Sequence, residues 1–134
     1  MNRTKLLQAF EQKATADGYH FHSTFDRYIP QLVNAYPTLW LSPPKFESIE
    51  GRTHGRITYT ITAHAIDAAA KLSPSERNQS HARLEGELLD IFTTLSEHDF
   101  VAAIEGLEIK HSSQTLTSAG DVAATATAEV ITIF

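Results

Sequence analysis

Hydrophobic positions along the chain switch between helical and alternating spacing, and each switch marks an element. From about Asn2 to Asp17, Leu6, Leu7, Phe10 and Ala14 share one face while Lys5, Gln8, Glu11, Gln12 and Lys13 take the other, and Gly18 supplies a natural stop. This predicts a short surface helix. Tyr19 to Thr24 alternates, with Tyr19 and Phe21 on one side and His20 and His22 on the other, as a strand does. Phe25 to Tyr36, interrupted by Pro30, reads as a partly buried connection. Pro37 to Ser42 is a compact strand whose flanking prolines suggest an edge position. Lys45 to Gly55 reads as a polar loop or the tip of a long hairpin.

The strongest strand signal runs from Arg56 to Asp67. Ile57, Tyr59, Ile61, Ala63 and Ala65 fall on one face and Thr58, Thr60, Thr62 and His64 on the other. A helix then opens at Ser73-Pro74-Ser75-Glu76, which has the residues of a capping box with proline in the first helical position. Leu84, Leu88, Ile91, Phe92 and Leu95 form its apolar stripe. After an ambiguous stretch from Asp99 to Glu105, Leu107 to Leu116 and Val122 to Phe134 read as two strands of a terminal hairpin turning at Thr117 to Asp121. Val122, Ala124, Ala126, Ala128 and Val130 make a face of small residues over which a helix can pack closely. Towards Ile131 and Ile133 the apolar content moves to the other face, so cover is expected on both sides there, a partner subunit being one candidate. The expected fold is α+β, a mostly antiparallel sheet of about five strands with an N-terminal helix and one long central helix on it.

Composition narrows the chemistry. A chain of 134 residues, 42% hydrophobic, suits one core, and residues 1–134 are read as one domain. The formal charge is -5 with 11 basic residues scattered along the chain, which disfavours nucleic-acid recognition. Cysteine is absent, so disulfides, thiolate nucleophiles and Cys-ligated zinc are excluded. Charges interrupt the N-terminal apolar residues, no secretory h-region is seen, and no window is apolar enough to span a bilayer, so a soluble, non-membrane protein, cytoplasmic at synthesis, is expected.

Seven histidines raise a metal reading in which His20 and His22 project to one side of a strand, but no third ligand is identifiable among His54, His64, His81, His98, Asp26 and Asp67. Ser73, Ser75 and Ser80 beside His81 are better explained as helix-start residues, and Glu85, Glu87, Asp90 and Glu97 as a solvated helix face. Nucleotide-binding glycine motifs and a nucleophile elbow are missing. No catalytic residue, metal or cofactor is therefore assigned. Trp40 reads as core or as a partner anchor, and the Thr58, Thr60, Thr62 face as solvent surface or subunit contact.

The order of elements, with Tyr36-Pro37-Thr38-Leu39-Trp40-Leu41-Ser42-Pro43-Pro44 followed by Thr58-Tyr59-Thr60-Ile61, resembles the tail-terminator and tail-completion proteins of tailed bacteriophages and prophages. The resemblance covers most of the chain and rests on element order and hydrophobic pattern. It implies a virion structural protein of the tail or neck, assembled in the host cytoplasm. Such a protein forms a homo-oligomeric ring, usually a hexamer, that caps the tail tube and meets the head connector, with no catalysis. The loop from Lys45 to Gly55 corresponds in position to a variable hairpin loop. Glu47, Glu50, Arg52 and His54, with Thr58, Thr60 and Thr62, are thus the expected interface residues. The connection from Phe25 to Tyr36 is longer than the family pattern. Two other readings stand beside this one: a small-ligand or protein-binding module with a pocket lined by Trp40, Tyr59 and Phe92, and a metalloenzyme using His20 and His22.

Overall fold

The computed structural model describes residues 2–111, 115–117 and 120–134. Helix α1 (Asn2–Ala16) leads into strand β1 (His20–Ser23). A 3-10 turn (Asp26–Tyr28) and the short helix α2 (Ile29–Leu32) follow. Strands β2 (Thr38–Leu41), β3 (Lys45–Gly51) and β4 (Gly55–Ala68), helix α3 (Pro74–Ser96), and strands β5 (Val101–His111) and β6 (Asp121–Ile133) complete the described chain. The sheet runs β1-β2-β4-β6-β5, with β3 also paired to β4. Only β1 and β2 are parallel among the described strands.

β2 pairs with the second half of β4, from Thr38 opposite Ile66 to Leu41 opposite Ala63, and β3 with the first half. Between them the Ser42 N–H donates to the Thr62 carbonyl at 3.0 Å, so β2 and β3 follow one line along β4, broken at Pro43-Pro44, which have no N–H to give.

The alternation in β4 decides what each face meets. Tyr59, Ile61, Ala63 and Ala65, with Ala124, Ala126, Ala128 and Val130 of β6, face the helices and are buried. α3 lays Leu84, Leu88, Ile91 and Phe92 on these small residues, and α1 adds Leu6, Phe10 and Ala14. Each fully buried Leu or Ile contributes roughly 1.5–3 kcal/mol. Phe10 meets Phe92 edge-on, ring centres 5.4 Å apart. α3 begins with the expected reciprocal cap: Glu76 N–H donates to Ser73 Oγ (3.2 Å) and Ser73 N–H to Glu76 Oε1 (3.4 Å).

The opposite face has a smaller core of Trp40, Ile66 and Ala123, covered by Ile29 and Val33 from the segment after β1. That segment lies across the sheet as a strap.

The α+β class, the N-terminal and long central helices and the mostly antiparallel sheet stand as expected. Four details differ. β2 is not an edge strand, because β1 pairs on its other side. Of the two readings for Lys45–Gly55 the hairpin holds and the loop does not, and because Lys45–Gly51 is itself a strand paired with β4 the sheet has six strands among the described residues instead of about five. The ambiguous Asp99–Glu105 stretch belongs mostly to β5, which continues through an irregularity between Glu105 and Glu108, where Gly106 adopts φ +63°. At the C-terminus Ile133 is exposed, so cover on both sides does not extend that far within one subunit. β5 and β6 pair antiparallel as a hairpin, while Ser118 and Ala119 of the expected turn, and residues 112–114 of the expected strand Leu107–Leu116, lie outside the described residues.

Candidate functional site

α1 covers the sheet only as far as its own first turn. There Asn2 Nδ2 donates to Thr132 Oγ1 (2.8 Å) and to the Ile133 carbonyl (3.2 Å), and Thr132 Oγ1 donates to the Ile57 carbonyl (2.8 Å). Past this anchor the β3–β4 hairpin carries the helix-side face onward. Phe46 is 51% exposed and Ile49 56%, beside half-buried Ile57. Phe46 pairs with Tyr59 and Ile49 with Ile57, which places both on the core-facing side. Phe134, 38% exposed, closes the row next to Gly55 through paired backbone bonds of 3.3 and 3.0 Å. Arg3 borders the patch, donating from Nη2 to the Pro44 carbonyl (2.5 Å) with its guanidinium carbon 5.9 Å from the Tyr59 ring centre.

The hairpin turns tightly at its tip. Gly51 sits at φ +100°, and a Cβ there would lie 2.3 Å from the His54 carbonyl oxygen. Glu47 and Glu50 stand on β3, Arg52 and His54 on the turn beyond it, all exposed. Thr58, Thr60 and Thr62 occupy the opposite face of β4 and are half-buried.

The structure joins some of these residues directly. Thr60 Oγ1 donates to Glu47 Oε1 (2.9 Å), and this bond together with Lys45 at 3.3 Å lowers the Glu47 pKa. Thr58 faces Ser48 across the ladder and Glu50 faces Arg56. On the same face Glu105 of β5 lies directly opposite Glu129 of β6, an unfavourable pair, beside a depression of about 430 Å³ also lined by Thr60, Gly106 and Thr127.

At the strap end of this face lies a network that sequence reading did not anticipate. Asp26 Oδ1 accepts from Ser42 Oγ (2.6 Å) and from Trp40 Nε1 (3.2 Å). Its Oδ2 is 3.1 Å from His64 Nε2, and His64 Nδ1 is 2.7 Å from Thr125 Oγ1. Partial burial pushes the Asp26 pKa up, but the bonds from Ser42, His64 and Trp40 outweigh it and the net shift is downward. An aligned carboxylate, imidazole and hydroxyl resembles a nucleophile triad, yet Thr125 sits within β6 with paired strands on both sides. Its neighbouring backbone amides are committed to the sheet and cannot form an oxyanion hole. The network joins strap, β2, β4 and β6. Its four polar residues come from separate segments, and the sole local hint was His64 on the threonine side of β4.

The remaining candidates disperse. His20 and His22 share a face, and the His22 ring lies 5.6 Å from that of Trp40. His81 and His111 meet edge-on at 4.6 Å, with His111 Nε2 3.3 Å from Glu85. Among the described residues no group of three or more His, Cys, Asp or Glu is arranged to hold a metal ion. Trp40 lies on the strap side of the sheet whereas Tyr59 and Phe92 lie in the helix-side core, so the expected pocket lined by all three is not formed. Glu87 accepts from the Tyr19 hydroxyl and faces Arg83, and burial followed by the charge of Asp17 raises its pKa. No helix among the described residues is long and apolar enough to cross a membrane.

No protein-family model matches the chain, and no curated protein matches its sequence.

Proposed function

We propose that the chain is a structural subunit that closes into a homo-oligomeric ring, acting as a tail terminator or related head-to-tail joining component of a phage or prophage, with the tail tube and head connector as its other partners. The observation that carries this reading is the hairpin arm: Phe46, Ile49 and Phe134 form an apolar surface on sheet that α1 does not reach. Large exposed apolar side chains gathered on one rigid face are a mark of protein contact. The polar network at the strap holds parts of the fold together and asks for no substrate. The resemblance in element order supplies the identity of the assembly, and the arm supplies a contact surface.

Light scattering of the purified protein over a wide concentration range tests the proposal. A closed mass of several protomers, insensitive to further concentration, is the expected result. A monomer at every concentration would overturn self-assembly.

A further inference from the structure

Resting on that ring reading, the structure points to the surface that receives the arm. We infer that the hairpin patch of one copy seats on the outer face of α3 in the next copy. Leu89 is 52% exposed on α3, and Ala82, Gly86 and Thr93 are exposed with it at helical spacing. A Cβ built on Gly86 meets nothing within 4 Å, so this stretch is open surface where another backbone can approach.

Charge selects the pairing. The arm is rimmed by Arg3 and Arg52, both exposed and in no salt bridge among the described residues, while Arg56, opposite Glu50, belongs to the threonine face. The Leu89 face is flanked by the exposed carboxylates Glu85, 3.3 Å from His111 Nε2, and Asp90, 2.8 Å from Lys13 Nζ, both exposed enough for an arriving arginine to share them. Two arms placed face to face would bring like charges together, whereas arm against α3 brings opposite ones. On the threonine face the exposed apolar residue Ile133 lies beside Arg56, whereas Glu105 and Glu129 lie further along the sheet beside Thr60, so an apolar seat and an acidic rim do not coincide there. Contact between two different surfaces also propagates head to tail and closes when the rotation permits, as a ring requires.

Complementation between Ile49→Asp and Leu89→Asp, which leave like charges on the two altered surfaces, tests the pairing, read by sedimentation velocity with thermal melts as the folding control. Both residues are exposed, so each variant should melt with the wild type. Each alone should assemble about 100-fold more weakly. An equimolar mixture should form a species of two protomers and no more, because one intact arm meets one intact α3 face and the chain of contacts then stops. If the wild type forms rings and Leu89→Asp does too, or if the mixture stays monomeric, the α3 assignment is overturned while the ring reading stands. A wild type that never assembles overturns both.

Discussion

Replacing Asp26 by alanine isolates the bond between strap and sheet. The substitution removes the acceptor for Ser42 Oγ and for Trp40 Nε1 and leaves His64 Nε2 without its carboxylate. The Asp26 side chain is 49% exposed, so water can replace it at Ser42 and, in part, at His64. Trp40 is fully buried, and its indole N–H has no such substitute. A stranded buried donor costs about 1–3 kcal/mol and each rewetted bond rather less, giving a total near 2 kcal/mol. For a chain of this length that corresponds to a melting temperature lower by about 7 °C.

Acid supplies a second signature. The folded-state pKa of Asp26 is depressed, so its contribution is complete above the unfolded carboxyl value, roughly 4, and is lost as pH falls from there through the folded value. The wild type should lose this part of its stability on acidification and Asp26→Ala should not. Trp40 is the sole tryptophan and lies beneath the strap, so urea titrations followed by its emission at pH 7 and pH 3 read both effects. If the variant unfolds within about 0.5 kcal/mol of the wild type at pH 7 and shows the same difference at pH 3, the network is not what holds the strap.

Ser73→Ala should cost about 1 kcal/mol by leaving the Glu76 N–H uncapped, visible as a lower helix melting temperature by circular dichroism. Glu87 has a raised folded-state pKa, so folding is favoured as pH falls through that value towards the unfolded one. Glu87→Gln should abolish that rise in urea midpoints between pH 7 and pH 4.

Elements whose signals are local were visible in the chain. The α3 cap is written in four consecutive residues, and β4 alternates over its whole length because one of its faces is buried throughout its centre. β3 was not, since every residue of Lys45–Gly51 is exposed and a strand with no buried face has no alternation to read. Its apolar pair is also three residues apart, a spacing that puts side chains on opposite faces of a regular strand. The irregularity between Phe46 and Ser48 resets the parity and brings Phe46 and Ile49 to the same side. The shift at Glu105 to Glu108 obscured β5 in the same way. The charged residues expected at the interface do lie on the hairpin, but its apolar surface depends on that shift. The Asp26 network depends on strand pairing across distant segments, which no local pattern encodes.

The parallel pairing of β1 with β2 constrains which parts of the chain can change length. Parallel neighbours cannot be joined by a tight turn, so the chain leaving Ser23 must travel back along the sheet before entering Thr38 in the same direction. With α1 and α3 already over one face, the return crosses the other. Residues 24–37 therefore form a topological span whose minimum length is set by the geometry of two strands. Deletions within it should uncouple β1 from the sheet, whereas the hairpin tip between Gly51 and Gly55, which joins antiparallel neighbours, is where variation in length is compatible with the fold.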